Sequence, residues 1–381
     1  MNDIHKLTIV YPDFNSNLTN VIIDLEKMRQ KQRYIDSDVH PIIFFQLKDI
    51  FHLLESLGSV RIEGNNTTIS EYIDHTISGK KDNSKEQLKE VDNIQNALQF
   101  IHENIKSDSK ITKEFILKLH EITVFGLNPV KDGDSNPGEF RIRPVFISNS
   151  RHVPPKPTVV DYLMDELIGF INDIEDSKDQ LLSVAISHHR FSWIHPFSNG
   201  NGRVVRLITY AMLIKQGFSV KEILNPTAIF CNDRDTYYKN LAIADQYDQK
   251  GQIIWCEYVL KNLLEEINKI DRLLDKGYLL NRIIYPALVE AVKYEYITEK
   301  EQLVLKIAAE KGEFKAADLR LIFPGRFPVE RSRIISRLKQ KKMITNAWRK
   351  DRIYIPRFIG SPLTRSLINA FHEEGFVPMS E

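Results

Sequence analysis

Cysteine is scarce in this chain of 381 residues, where only Cys231 and Cys256 occur. Two thiols cannot build a disulfide framework, and they are too few for a zinc site made of cysteines. We therefore expect a protein that works in a reducing compartment, and the cytoplasm is the natural location.

Long apolar runs are also missing, since no stretch approaches the ~20 residues that a helix needs to cross a bilayer. The N-terminal segment mixes charged and amide side chains with scattered apolar ones, whereas a secretory signal has a basic start and an apolar core. These features predict a chain that has no membrane partner.

An overall charge of one sign is absent as well, because 52 Lys and Arg residues balance 51 Asp and Glu residues. The balance is uneven along the chain: residues 298–357 hold 16 cationic and 7 acidic side chains, a net charge of +9. Since the whole chain carries +1, the rest carries −8. The sequence predicts a basic C-terminal unit attached to an acidic body, and the length suggests two or three domains.

The apolar pattern predicts a mainly α-helical protein with four regions. They are an N-terminal region (1–84), a helical core (85–275), a C-terminal domain (280–360) and a tail (361–381). Seven stretches of the first two regions have apolar residues at helical spacing. The stretches are 41–58, 91–105, 113–123, 159–174, 180–194, 202–216 and 255–275.

One segment of the core departs from the helical pattern. In residues 141–155 apolar residues alternate around a short polar turn, and two prolines follow the alternation. This pattern predicts a small β-hairpin.

The C-terminal domain contains three predicted helices, at 299–311, 315–322 and 329–342, followed by two short strands around a basic turn. That order is typical of a winged helix, a variant of the helix-turn-helix. Because its third helix and turn are rich in Lys and Arg, residues 298–357 are a candidate DNA-binding surface. The alternative is a basic face on a domain that serves dimerisation or protein docking, so a homodimer is also a candidate state.

The run HPFSNGNGR from His195 to Arg203 carries the strongest chemical signal. Pro196 disfavours helix at the preceding residue, so a helix should end there and leave the imidazole in a loop. Two glycines flank Asn201 and allow several backbone N–H groups to turn toward one point. The next helix begins at this point with its positive end, so the loop predicts an anion site suited to phosphate.

Arg203 and Arg206 lie three residues apart on one side of that helix, whose remaining positions are mostly apolar. A guanidinium inside so apolar a helix requires an oxygen anion, so Arg206 should have a carboxylate or phosphate nearby. His195 is suited to take a proton from an attacking hydroxyl, since histidine has an ordinary pKa of about 6.5. The plain alternative, a glycine turn with a surface histidine, is disfavoured by the length of the run.

These residues closely resemble the signature of the Fic family, His-Pro-Phe-x-acidic-Gly-Asn-Gly-Arg-x-x-Arg. The resemblance extends over about residues 59–245 and implies a Fic helical core that transfers AMP from ATP to a hydroxyl of a protein target, itself a candidate target. It also implies that His195 is the catalytic base and Phe197 a core anchor. The residues implied to bind ATP are Asn199, Gly200, Asn201, Gly202, Arg203, Arg206, Tyr237, Tyr238 and Asp245.

Two of these assignments have open alternatives. Tyr237 and Tyr238 resemble the segment that lines the adenine pocket, but paired tyrosines serve equally well as core residues. Asn199 stands where the family has the acidic residue that holds Mg²⁺. Because an amide oxygen is a weaker ligand for this ion than a carboxylate, we expect Mg²⁺ to bind weakly at Asn199 and the reaction to be slow, or to differ.

Upstream of the core, the run SVRIEG from Ser59 to Gly64 resembles the inhibitory helix sequence of the family, Ser/Thr-x-x-x-Glu-Gly/Asn. The resemblance implies that Glu63 pairs with Arg206 in the place of the terminal phosphate of ATP and so inhibits the enzyme. An exposed Glu before a helix-ending Gly is the alternative.

The predicted hairpin resembles the family's flap, which holds an extended target segment by strand pairing. Its residues are Phe146, Ile147, Ser148, Asn149, Ser150, Arg151 and His152. The segment from Gly138 to Arg141 also resembles a family feature and is expected to be structural. His188 and His189 precede the motif, but adjacent histidines on a helix point in different directions, so we interpret them as core residues rather than metal ligands.

Two functions other than AMP transfer fit the same residues. One is a DNA-binding regulator whose core senses a nucleotide and transfers slowly or not at all, as Asn199 and the basic C-terminal domain suggest. The other is a different phosphoryl or nucleotidyl transfer on the same phosphate loop.

Overall fold

The computed structural model describes residues 6–34, 38–78, 86–147, 150–218, 224, 227–231, 233–320, 322–323 and 328–377. The described chain is mainly helical, as predicted, with one small antiparallel sheet among these residues. In the part of the chain that is described, no helix has the length and apolar character of a membrane span.

The first eleven α-helices follow one another up to residue 273. They are α1 (Asn17–Tyr34), α2 (Pro41–Ile62), α3 (Ile69–Ser78), α4 (Glu86–Asn104), α5 (Lys113–Val124), α6 (Val160–Asp173), α7 (Ser177–Ile194), α8 (Asn201–Lys215), α9 (Ala228–Cys231), α10 (Arg234–Ala244) and α11 (Gln249–Leu273).

The remaining elements include both strands. They are α12 (Lys276–Tyr278), a π-helical stretch (Leu279–Ile284), α13 (Tyr285–Lys293), α14 (Glu299–Lys311), a 3-10 turn (Asp318–Arg320), α15 (Pro328–Gln340), β1 (Ile344–Ala347), β2 (Lys350–Pro356) and α16 (Leu363–Glu373).

The chain divides into two compact units. The first comprises residues 1–35, 55–67 and 83–268, and the second comprises residues 36–54, 68–82 and 269–381. In the first unit α8 is almost entirely buried, and it packs against α4, α5 and α7. This burial explains the apolar sequence of α8, because a helix surrounded by other helices has no solvent face to keep polar.

In the second unit, α14, α15 and the β1–β2 hairpin pack together. A capping box starts α14: the Thr298 hydroxyl accepts from the backbone of Glu301, whose carboxylate accepts from the backbone of Thr298. The strands pair from Ile344 opposite Pro356 to Ala347 opposite Lys350. This hairpin was predicted at this place.

The helix predictions agree with the structure in most of the chain, with two differences. Residues 315–322 form only the short 3-10 turn at Asp318–Arg320, and residue 321 lies outside the described part. The Asp318 carboxylate accepts from the Lys315 backbone at 2.7 Å and from the Lys311 ammonium, which favours a capped turn over a helix. The pattern also missed α1, α3, α10, α13 and α16.

The second difference concerns the hairpin that was predicted at 141–155. The structure assigns no strand to residues 141–147 or 150–155, and Ser148 and Asn149 lie outside the described residues. Exposed apolar side chains in this segment, Phe146 and Val153 among them, show why alternation alone was misleading: neither face of the segment is a core face.

Candidate active site

The loop between α7 and α8 is fixed by its backbone. Helix α7 ends at Ile194, and His195 follows in the left-handed conformation with φ 50°. Gly200 begins α8 with φ 75°, and a Cβ at this position would come within 2.9 Å of the Val124 side chain. Only glycine meets both requirements without strain, so this position is set by geometry.

Two side chains hold the loop from inside. The Asn201 amide donates to the Phe197 carbonyl and accepts from its N–H, both at 2.9 Å. The Phe197 ring is fully buried, and it stacks on His120 with ring centroids 3.7 Å apart. Phe197 is thus a core anchor, as predicted, and the backbone N–H groups of the loop are held in one arrangement.

Arg141 binds the carbonyl groups at the end of α7. Its guanidinium donates to the carbonyls of His195 (2.7 Å), Ile194 (3.2 Å) and Pro155 (2.6 Å). Its backbone N–H also donates to the Pro196 carbonyl at 2.8 Å. A helix C-terminus leaves carbonyl groups without partners, and this one buried cation satisfies several of them beside the imidazole.

The His195 ring has the protonation state of a general base. Its Nδ1 lies 3.4 Å from the Ser192 carbonyl, which can only accept, so Nδ1 carries the proton in this contact and Nε2 keeps its lone pair. Burial lowers the pKa of His195 to about 4, so the ring is neutral at pH 7. The charge of Glu63 acts in the opposite direction on this pKa.

Glu63 lies at the N-terminal end of α8. Its Oε1 is 2.9 Å from Nη2 of Arg206, and a Cβ on Gly202 would collide with the same carboxylate. Burial by itself would raise the pKa of Glu63, but the charges of Arg206 and Arg203 lower it below its usual value. The predicted anion site therefore contains an anion, and it is a carboxylate of this chain.

Ser59 completes the partners of Arg206. Its hydroxyl accepts from Nε at 3.1 Å and its carbonyl accepts from Nη2 at 2.8 Å. The Arg206 side chain is 1% exposed, so these oxygens replace water around the guanidinium. Ser59 lies in the last turn of α2 and Glu63 follows directly after the helix, and together they bind the charge that the sequence required to be paired.

Arg203 is also paired, with a residue that the sequence did not indicate. Its Nη1 donates to Oε1 of Glu90 at 2.7 Å, and its Nη2 donates to the Asp132 carbonyl at 2.6 Å. Oε2 of Glu90 accepts from the amide of Asn65, also at 2.7 Å. A Glu among the buried, mostly apolar positions of α4 was the signal that could have revealed Glu90.

Both ends of the Asn199 amide have hydrogen-bond partners in the protein. The Oδ1 atom accepts from the Gly200 N–H at 2.7 Å, and the Nδ2 group donates to the Lys131 carbonyl. The buried carboxylate of Asp134 accepts from the backbone N–H groups of Asn199 (3.1 Å) and Asn136 (2.9 Å). Because both ends of the Asn199 amide already have partners in the protein and an amide oxygen is a weaker ligand than a carboxylate, this side chain fits Mg²⁺ poorly.

The two tyrosines of α10 differ in their surroundings. Tyr237 is buried and its hydroxyl is 2.9 Å from Nε2 of His188, so it is a core residue. Tyr238 is 41% exposed, and Glu63 and Arg206 both act on its pKa, which burial raises. Of the pair, only Tyr238 has an accessible ring.

Asp245 and the histidines of α7 belong to the packing between helices. Asp245 Oδ1 lies 2.9 Å from Nε2 of His189, and Nδ1 of His188 lies 2.8 Å from the Thr209 hydroxyl. Burial lowers the pKa of both histidines, which keeps them neutral. His188 therefore connects α7 to α8 and, through Tyr237, to α10.

The segment that was expected to be the flap is largely open to solvent where it is described. Phe146 is 85% exposed, and Ser150 and Arg151 are exposed as well. The His152 ring is held by the chain, with Nε2 at 2.8 Å from the Trp193 carbonyl. An exposed segment thus lies beside the C-terminal end of α7.

A comparison with known protein families matches the region that contains the loop between α7 and α8. Residues 110–213 match the Fic/DOC family. The protein adenylyltransferase Fic of Drosophila willistoni is 28% identical over 200 residues, which are 52% of this chain and 37% of that protein, and the Drosophila virilis protein of the same name is equally similar. The chain thus spans less than two-fifths of these relatives' length.

Solved structures share the fold. A Fic family protein from Desulfovibrio desulfuricans G20 superimposes with a TM-score of 0.57 at 19% identity, over 92% of this chain and 98% of that one. Fic-1 (residues 134–508) from C. elegans gives a TM-score of 0.51 at 21% identity, over 67% of this chain and 72% of that one.

Proposed function

Because the chain contains a Fic/DOC family domain, we propose that it transfers AMP from ATP to a hydroxyl group of a protein, and that Glu63 inhibits this reaction. The relatives that are named protein adenylyltransferase support the reaction class. The observation that carries the proposal is the Glu63 carboxylate at the N-terminus of α8, held by Arg206, since it marks a site that is built for an anion.

The chemistry follows from the groups around that site. A target hydroxyl attacks the α-phosphorus of ATP, a P–O bond forms to the hydroxyl oxygen, and the bond to the leaving pyrophosphate breaks. The Nε2 lone pair of His195 takes the hydroxyl proton. Arg203, Arg206 and the N–H groups of α8 stabilise the phosphate charge.

The metal-binding position is where this chain departs from the family signature. Mg²⁺ is implied by the family signature, and Asn199 is the motif position that would hold it. Because both ends of the Asn199 amide are hydrogen-bonded within the protein, the proposed step relies on the two arginines and the helix end for charge stabilisation.

Inhibition follows from competition for the same guanidinium. A terminal phosphate of ATP can bind Arg206 only when the Glu63 carboxylate leaves it. Truncating Glu63 should therefore admit the nucleotide in the reactive position without altering His195.

The test is self-labelling of the purified full chain with ATP that is labelled at the α-phosphate. Glu63→Gly should label at least tenfold more than the natural chain, and Glu63→Gly/His195→Ala should not label. Glu175→Gly, which removes an exposed carboxylate between α6 and α7, is the matched control and should behave as the natural chain. An unchanged Glu63→Gly variant would refute the inhibitory role.

Mass spectrometry of the labelled product identifies the reaction. An added AMP supports the proposal, whereas an added phosphate identifies a different transfer on the same loop. The second candidate function is a nucleotide-sensing regulator with a weakly active core, which the hydrogen-bonded Asn199 amide favours. ATP binding by Glu63→Gly without transfer to any protein would favour that candidate.

A further inference from the structure

Helix α15 of the second unit presents a polar, cationic face. Its buried positions are Arg331, Ile334, Ile335 and Leu338, and the three apolar side chains belong to the core. The exposed positions between 332 and 340 carry no carboxylate. They are Ser332, Arg333, Ser336, Arg337, Lys339 and Gln340.

Contacts with α14 and with β1 hold this face in place. Arg337 lies 3.6 Å and Lys341 lies 2.8 Å from the buried carboxylate of Glu301 on α14. Lys339 donates to the Asn346 side chain of β1 at 2.7 Å. The orientation of α15 relative to the hairpin is therefore fixed by named contacts within one unit.

Two residues at the turn of the β1–β2 hairpin are of types that a tight turn does not require. Trp348 is 83% exposed, and the Arg349 guanidinium lies 4.6 Å from the centre of its ring. Arg349 has φ 56°, a conformation that favours glycine or asparagine in a tight turn. Strained residues tend to cluster at functional sites, so an exposed aromatic ring and a strained arginine at a hairpin tip indicate binding rather than folding.

Several of the cations on this side have no acidic partner among the residues that the structure describes. Arg333, Arg349 and Arg352 are exposed and form no ion pair in the described chain, whereas Lys350 is 3.2 Å from Glu313. Asp351 is the one acidic residue of the hairpin strands. The electrostatic potential at the surface formed by α15 and the hairpin is therefore positive, so this surface can attract a polyanion.

We propose that α15 and the β1–β2 hairpin bind duplex DNA, with α15 in the major groove and the hairpin tip against the adjacent backbone. An α-helix with its side chains is about 10–12 Å wide, which matches a major groove of about 12 Å. The neutral polar residues of α15 can reach base edges, and the arginines can pair with phosphates. The major groove of duplex RNA is too narrow for this arrangement, which favours DNA.

The test uses the full chain and a fluorescent 24-base-pair DNA duplex of mixed sequence, without ATP, so it is independent of the transferase proposal. Anisotropy titrations at several salt concentrations give the affinity and its salt dependence. The triple variant Arg333→Gln/Arg349→Gln/Arg352→Gln should bind at least tenfold more weakly. Its slope of log K against log salt should be smaller by up to ~2.7, since each lost phosphate contact removes ~0.9.

A matched control removes the same charge elsewhere. Lys118, Lys178 and Lys261 are exposed residues of the first unit, and the triple Gln variant of these three should bind DNA within twofold of the natural chain. Equal weakening of both triple variants, or no binding of DNA at 50 mM salt, would overturn the proposal. Tighter binding of a single-stranded RNA or of an acidic peptide would overturn the choice of DNA.

Tryptophan fluorescence provides a second measurement. Trp255 is fully buried and Trp193 is partly buried, so Trp348 is the tryptophan most open to a ligand. Added duplex should change the emission of the natural chain, and Trp348→Phe should lose most of that change. The same change in Trp348→Phe as in the natural chain would contradict contact at the hairpin tip.

Discussion

Glu63 Oε1 lies 2.9 Å from Arg206 Nη2, with the Ser59 hydroxyl 3.1 Å from Nε of the same guanidinium. A residue in the last turn of α2 and the residue that follows this helix thus hold a fully buried cation on α8. The ion pair satisfies Arg206 and fills the anion site at the same time, so in the proposed function the contact that stabilises the fold also opposes nucleotide binding.

Ser59→Ala should weaken inhibition without abolishing it. The change removes one hydrogen bond to a charged group, worth about 1.5–3 kcal/mol, and leaves the Glu63 contact in place. Basal self-labelling should rise several-fold but remain below that of Glu63→Gly. Ser59→Thr keeps the hydroxyl and should label like the natural chain; labelling of the Ala variant at the natural level would contradict the role of this hydroxyl.

Asn199→Asp should change the metal dependence of transfer. In the Glu63→Gly background, a charged oxygen at this position should lower the Mg²⁺ concentration needed for half-maximal labelling several-fold. The variant should also lose about 1 kcal/mol of stability, because the donation to the Lys131 carbonyl is lost. Asn128→Asp, an exposed amide-to-acid change, is the control; identical Mg²⁺ curves for both variants would argue against a metal at residue 199.

Glu55 should make folding stability depend on pH. This buried side chain accepts from the N–H of Thr227 at 3.0 Å and from its hydroxyl, and burial raises its pKa to about 7. A pKa raised in the folded state gives stability that is complete below the unfolded value of about 4.5 and is lost as pH rises through 7. Between pH 5 and 8 the loss should be roughly 2–3 kcal/mol.

Urea unfolding at several pH values measures this dependence. Glu55→Gln cannot titrate, so its free energy of unfolding should vary less over this range than that of the natural chain. Glu175→Gln, at an exposed position, should keep the natural dependence. Parallel curves for the natural chain and Glu55→Gln would show that Glu55 does not titrate here.

Glu90→Ala should be strongly destabilising. It leaves the Arg203 guanidinium buried beside Gly202 with the Asp132 carbonyl as its remaining partner, and breaking a buried pair costs about 3–5 kcal/mol. Glu90→Gln keeps a hydrogen-bond acceptor and should cost less. Thermal unfolding monitored by circular dichroism compares the two, and equal losses would mean that packing rather than charge decides the effect.

The sequence by itself determined the parts of this protein that depend on neighbours along the chain. Pro196 predicted the end of α7, the glycines predicted the turn into α8, and the periodicity predicted most helices, because these are properties of a few consecutive residues. It also required an anion for Arg206, since a cation in an apolar helix must be paired.

Only the tertiary structure decided which groups satisfy those requirements. Glu90 reaches Arg203 across 113 positions and Glu55 reaches Thr227 across 172, distances at which no local pattern carries information. The hairpin predicted at 141–155 has no strands among its described residues, because a strand needs a partner and a buried face that alternation cannot supply. Burial and neighbouring charges then set the protonation states, which composition could not give: His195 is neutral and Glu63 is charged.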